Sequence, residues 1–211
     1  AKKDSSKVKS DTLSTPFLFH GSVDPLNNYN YPGIKKEDIQ LKNYTNFEDI
    51  FNSEYHTFPV NLGEEGKLNN FSYMGASPRS NIFAFNGIQL NSKLTDNYNP
   101  NFFPVEFFEE AEILKGTDAA VEAGNPSVYI NFREIIYNTD KPYTKFWYSQ
   151  EAYNFIGVDG IFSQNFMKNL NLNFGFRTIS NEGRFDNSDF NSWNVRTNLR
   201  WNPSDLSSIS L

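Results

Sequence analysis

Along residues 143–211 apolar and polar side chains alternate with a period of two. Leu170, Leu172, Phe174 and Phe176 take turns with Asn169, Asn171, Asn173, Gly175 and Arg177, and Trp193, Val195, Thr197, Leu199 and Trp201 take turns with Asn194, Arg196, Asn198, Arg200 and Asn202. Successive side chains of a strand point to opposite faces, so the pattern predicts antiparallel strands with one apolar and one polar face. We place them near 143–149, 153–163, 169–179 and 190–201, with a fifth starting at Leu206. A sheet in water alternates in the same way, so a secreted, glycan-binding β-sandwich is one reading. Three features favour a membrane β-barrel. The polar face repeats Asn and Arg, as the wall of a wet lumen does. The link near Phe166–Lys168 is short, Asn181–Asp189 is longer and polar, and Asn202–Asp205 is short again, which matches short turns on one side and longer loops on the other. Trp193 and Trp201 share the apolar face and stand about 26 Å apart along a strand, close to the separation of two aromatic girdles.

Residues 34–142 show mixed patterning. Thr45 with Glu48 three positions on is a capping-box pattern ahead of Phe47, Ile50 and Phe51, predicting a helix over 46–52. Phe71–Met74 and Ile82–Phe85 predict short strands, and Asn86-Gly87 after the second is a strong turn signal. Pro104 is suited to open a helical turn, because its missing N–H costs nothing there. Ala111–Leu114 and Val128–Phe132 predict two more strands, with a helical turn around Asp118–Glu122 between them. Residues 1–33, rich in Lys and Ser and then in Pro, Gly and Asn, hold no sustained period and read as an extended or disordered tail. Three regions follow: tail 1–33, a small α/β unit 34–142, and strands 143–211.

Composition sharpens this picture. A mean hydropathy of −0.60 beside 17% aromatics is an unusual pairing, and the chain also holds 29 asparagines. A disordered chain lacks such aromatics. A net charge of −6 leaves no basic stripe for phosphates, which argues against nucleic acid as a partner. With no cysteine there is no disulfide, thiol nucleophile or thiolate metal site. No apolar run approaches the ~18 residues of a membrane-spanning helix. The opening Ala1–Lys7 is too polar for a signal peptide and is compatible with a new N-terminus after one is removed.

Four motifs, in order, resemble a known family. Phe71-Ser72-Tyr73-Met74-Gly75 looks like the "ISIRG" strand of the plug domain in TonB-dependent outer-membrane receptors. Phe85-Asn86-Gly87-Ile88-Gln89-Leu90-Asn91 is similar to the family's "LDGIPLN", residues 111–124 resemble "IEVLKGPSSALYG", and Val128–Asn131 resembles the closing "GVINI" strand. Met74 stands where the family usually has Arg, Asn86 where Asp is usual, and Asn125-Pro126-Ser127 replaces a glycine-rich turn. The resemblance covers roughly 34–211. It implies a mainly β fold: a plug domain, then the first four to five strands of a barrel that has 22 strands in the family, so the chain reads as part of a larger protein. It implies an outer-membrane active transporter or receptor importing a scarce ligand, with the plug in the lumen and the N-terminus periplasmic. The implied partners are outer-membrane lipid, TonB or a similar energiser, and an iron chelate, cobalamin, oligosaccharide or peptide, with a lipoprotein or larger membrane complex as a further expectation. Asp11-Thr12-Leu13-Ser14 is the candidate TonB box, and Ser77, Arg79, Asn91 and Tyr98 are the candidate ligand-binding residues of the plug loops. An alternative keeps the fold and drops transport: a structural, docking or assembly component.

No catalytic constellation is present, so no enzyme activity, cofactor or metal is expected. His20 and His56 lack metal-ligand spacing. Glu106, Glu109, Glu110 and Glu112 read as a solvated helical face, and Asp186–Asp189 as a hydrophilic loop without EF-hand spacing.

Overall fold

The computed structural model describes residues 33–211 apart from 43, 45, 46, 53, 64, 65, 68, 125, 136, 138–140, 168, 205 and 206. The tail up to residue 32, with Asp11–Ser14, and Thr45 lie outside the described residues, while Gly33, the last residue assigned to the tail, opens a strand.

The first unit is a mixed sheet. It is built from β1 (Gly33–Lys35), β4 (Asn81–Phe85), β5 (Ile88–Gln89), β6 (Phe108–Lys115) and β7 (Val128–Glu134) in the order β1-β6-β7-β4-β5. Only β4 and β7 run parallel. Helices α1 (Lys36–Gln40), α2 (Phe47–Phe51) and α3 (Gly116–Ala123) and a small pair, β2 (Thr57–Val60) with β3 (Asn70–Tyr73), complete it. The Asn86-Gly87 turn joins β4 to β5 with φ 47° and 80°, the left-handed pair a two-residue hairpin turn demands. Short β1, α1, β2 and β5 were not expected from the sequence, since two to five residues hold too little periodicity to register.

The core of this unit explains the odd composition. Phenylalanine rings run through it beside isoleucine and valine: Phe47 meets Phe132 edge-on at 5.0 Å, Phe51 stacks on Phe71 at 4.9 Å, and Phe103 stacks on Phe132 at 4.6 Å. Each fully buried ring stabilises by about 1.5–3 kcal/mol, so few residues suffice while the rest of the chain stays polar.

The second unit is a five-stranded antiparallel meander: β8 (Tyr143–Gln150), β9 (Ile156–Met167), β10 (Leu170–Asn181), β11 (Phe190–Ser204) and β12 (Ser207–Ser210). The strand expected from residue 153 starts at Ile156, because Tyr153 and Asn154 take positive φ and make the turn instead. Connections 151–155 and 182–189 lie at one end, and the two short ones at the other. The sheet is inverted relative to a soluble one. Its polar face, with Asn171, Asn173, Arg177, Asn198 and Asn202, is buried against the first unit, while Phe146, Trp193, Val195 and Trp201 stand bare on the other side. That arrangement suits lipid and contradicts the β-sandwich reading, in which the apolar face forms the core.

The two units interlock at Gly175. A Cβ built there would overlap the Phe107 ring, which the 3-10 turn Val105–Phe107 pushes against the wall. Gly175→Ala is therefore expected to destabilise docking by about 1–3 kcal/mol through overpacking. Urea unfolding followed by Trp emission checks this, and Phe107→Leu in the same chain is expected to restore part of the loss.

Candidate functional site

Two features of the first unit are candidates for function: the seam it makes with the wall, and the loops at the end where the long connections lie. The seam holds two carboxylates. Glu106, in the turn before β6, meets Lys36 of α1 at 2.8 Å and Lys145 of β8 at 2.8 Å, and accepts a hydrogen bond from the Tyr44 hydroxyl. Tyr44 in turn stacks on Trp147 of the wall at 5.0 Å. Three parts of the chain thus converge on one side chain that is 1% exposed.

This corrects the expectation of a solvated acidic face. Glu106 and Glu112 are buried, the first in a 3-10 turn and the second within β6, where Asn131 donates to it at 2.8 Å and Arg133 lies at 3.4 Å. Spacing alone resembled a helix; strand pairing turned alternate carboxylates inward. Burial works against the charged form of Glu106, but the Lys36 charge and hydrogen bonds from Lys145, Lys36 and Tyr44 outweigh it and hold the carboxyl below its ordinary range. Burial lowers the Lys36 ammonium despite Glu106 beside it, and burial first and Glu106 second push the Tyr44 hydroxyl up.

The second carboxylate, Glu134 at the end of β7, is gripped from the wall. Arg196 Nε donates at 3.2 Å, Asn198 Nδ2 at 2.6 Å and Arg200 Nη2 at 3.1 Å. From its own unit Asn86 Nδ2 donates at 3.3 Å, while the Glu134 backbone N–H donates to Asn86 Oδ1 at 3.0 Å. An Asp at position 86 would set a second carboxylate against Glu134, so the departure from the family's Asp has a physical reason. Amide-to-backbone bonds add to the seam: Asn171 donates to the Tyr137 carbonyl at 3.0 Å, Asn173 to Ile135 at 2.8 Å and Asn194 to Phe102 at 2.9 Å.

The loops are tied together by asparagines. Asn70 Nδ2 faces the Pro78 carbonyl at 3.4 Å, Asn97 Oδ1 at 3.2 Å and the Tyr98 carbonyl at 3.4 Å. Asn91 Oδ1 accepts from the Phe83 N–H at 2.7 Å, and its Nδ2 donates to Asn81 at 2.9 Å and Asp96 at 3.2 Å. Asn99 donates to the Lys67 carbonyl at 2.6 Å, and Phe102 stacks on Phe190 at 5.7 Å, so these loops sit by the 182–189 connection. A short polar side chain that mimics a peptide group satisfies loop backbone locally.

Ser77, Arg79, Asn91 and Tyr98 are thus brought to one loop cluster, in unequal states. Ser77 and Arg79 are exposed, on the turn Pro78–Ser80. Asn91 is buried and its amide is committed to backbone. Tyr98 packs its ring 5.8 Å from Phe83, and burial pushes its hydroxyl up to about 12. Trp193 and Trp201 both lie on the bare face of β11. Sequence reasoning missed Lys36, Glu134 and Lys145 because lone charges carry no spacing signal, and it read Glu106 as one of a solvated cluster. Arg196 and Arg200 were visible only as members of a polar face.

Comparison with known proteins bears on both features. Residues 29–128 match the TonB-dependent Receptor Plug Domain family. The fold is similar to the siderophore receptor PirA from Acinetobacter baumannii, with a TM-score of 0.68 and 17% identity over 90% of this chain and 32% of that one. It is also similar to P. aeruginosa FpvA bound to a heterologous pyoverdine, at 0.66 and 12% over 84% and 24%. The copper transporter OprC aligns at 0.61 and 12% over 79% and 27%. The chain spans about a third or less of the length of these proteins. No curated protein sequence matches it.

Two outcomes follow from the geometry. Glu106 has a lowered pKa in the folded state, so its contribution is complete above the ordinary value of 4.5 and is lost as pH falls through the lower folded value. Acid titration of Trp emission is expected to show a transition below pH 4.5 that Glu106→Gln weakens. Asn70→Ala is expected to cost about 1–3 kcal/mol by leaving loop carbonyls unpaired. Amide exchange is expected to rise at 77–80 and 97–99 together, and a rise in only one loop would contradict the shared anchor.

Proposed function

Because this chain carries the plug domain of a TonB-dependent receptor followed by strands of its wall, we propose that the parent protein is an outer-membrane active transporter that draws a scarce ligand past the plug. The observation that carries this reading is the seam. Two ion-pair nodes and a row of single hydrogen bonds hold plug to wall, beside separate ring contacts: Phe107 on Gly175, Tyr44 on Trp147, Phe102 on Phe190 and Tyr137 on Tyr143. Water can replace each polar partner as the seam opens, whereas an aromatic core of the kind inside the plug has no such substitute. The plug therefore leaves the wall at lower cost than it unfolds.

The long connections 151–155 and 182–189 mark the outward side, since outer-membrane barrels keep short turns toward the periplasm. Ligand is captured there, over the loops Gly75–Ser80 and Asn91–Asn99, with Ser77 and Arg79 offering hydrogen bonds and charge. TonB engages the N-terminal segment that contains Asp11–Ser14 from the periplasm. Force reaches β1 and α1 first, and through Lys36 it reaches Glu106 and the wall. The receptors similar in fold that are named for siderophores support an iron chelate as ligand, ahead of cobalamin, oligosaccharide or peptide. Trp193 and Trp201 anchor the wall at the two lipid interfaces.

A second reading, a docking or assembly barrel without energised transport, is favoured by one observation. Met74, at the family's Arg position, is exposed in a left-handed turn (φ 50°).

Uptake in intact cells separates the two. Deleting residues 1–20, or removing TonB, is expected to abolish ligand import and leave ligand binding intact, while a docking barrel is indifferent to both. Arg79→Ala is expected to weaken binding by about 1.5–3 kcal/mol, roughly tenfold or more, as read by titration of the purified protein.

A further inference from the structure

Glu134 sits in a site that the wall builds without it. Arg196, Asn198 and Arg200 occupy alternate positions of β11 on the polar face, and all three donate to the one carboxylate. They are positioned by their own sheet: Arg196 lies opposite Gly175, Asn198 opposite Asn173 and Arg200 opposite Asn171, with β12 paired on the other side of Arg200. The space over Gly175 is taken by the Phe107 ring of the plug, and a small cavity beside it is bordered by Glu134, Asn173 and Arg196. The backbone that carries the three donors thus belongs to the wall, and Asn198 is also held there by the Ser210 hydroxyl at 3.1 Å, while the Arg196 guanidinium lies over the Phe85 ring of the plug in the closed state. Two guanidiniums of the wall meet one carboxylate of the plug, and Lys145 on Glu106 repeats the same polarity. Guanidinium forks fit oxyanions better than any other ligand group.

We propose that Arg196, Asn198 and Arg200 form a carboxylate-binding site on the lumen wall, filled by Glu134 in the plugged state and by a carboxylate-bearing solute once the plug withdraws. Its cargo role rests on the transport reading above and narrows the cargo to anionic ligands; the site itself does not depend on that reading. The seal of the resting channel and a waystation for the ligand are then one set of side chains. Ligand and plug compete for it, so an arriving carboxylate favours the displaced plug.

Chemical rescue tests the site in the full-length protein in detergent. Glu134→Ala is expected to lower the urea midpoint for plug release, read by Trp emission. Acetate is expected to restore part of the shift with saturation, while acetamide and chloride at equal ionic strength restore none. The rescue is expected to vanish when Arg196→Gln and Arg200→Gln are added. No rescue, equal rescue by chloride, or rescue that survives the arginine changes overturns the site. Glu134→Ser gives the same readout if the alanine variant does not fold. For the cargo role, the wild-type protein in a planar bilayer, with its plug dislodged by urea, is expected to pass anions over cations, and R196Q/R200Q to lose that preference. Equal selectivity in the two proteins overturns it. Neither measurement involves uptake or TonB, so failure of the transport reading would show in cell uptake while leaving both results standing.

Discussion

Everything in this structure follows from a sheet whose apolar side is turned outward. With Phe146, Trp193 and Trp201 bare, the face that remains for packing is dominated by Asn, Arg, Lys and Asp, with Trp147, Ile161 and Ile179 among them. Such a face cannot be buried against an apolar surface, since each unpaired polar group would cost about 1–3 kcal/mol and a charged one more. The plug meets the demand with carboxylates and exposed carbonyls: Glu106 and Glu134 for the cations, Phe102, Ile135 and Tyr137 for the asparagines. Within the wall, Arg177 and Asp159 pair across β10 and β9 at 2.8 Å and satisfy the same requirement locally.

Stability is therefore divided between two kinds of contact. Inside the plug, rings from α2, β3, β4 and β7 pack edge-on and stacked and hold without water. At the seam, charge and amide contacts hold in a form that water can take over. A plug that stays folded while it parts from its wall needs this division. Buried asparagine adds a third element by fixing irregular loops where neither helix nor strand satisfies the backbone, so that Asn70, Asn81 and Asn91 form one chain from the loop cluster to β4.

Much of this was legible in residue order. The period-two pattern located β8, β9, β10 and β11 to within a few residues, and Asn86-Gly87 marked its hairpin, because side-chain alternation and positive-φ turns are local properties of a chain. The plug motifs, read in order, led to the family that the 29–128 match then supplied independently. The loop cluster was located by motif position, but the sequence did not separate Arg79, which is exposed, from Asn91, which is spent on backbone.

What residue order alone determined is which faces are apolar, where the chain turns, and that aromatic and amide side chains dominate. Those depend on neighbours two to four positions away. Only the tertiary structure decided that the polar face is the buried one, that Glu106 and Glu134 are interior charges rather than solvated ones, and that Lys36 and Lys145 share a carboxylate across 109 positions of chain. Such pairings join residues whose separation carries no period. A carboxylate is spelled the same whether it meets water or two guanidiniums, and packing alone tells them apart.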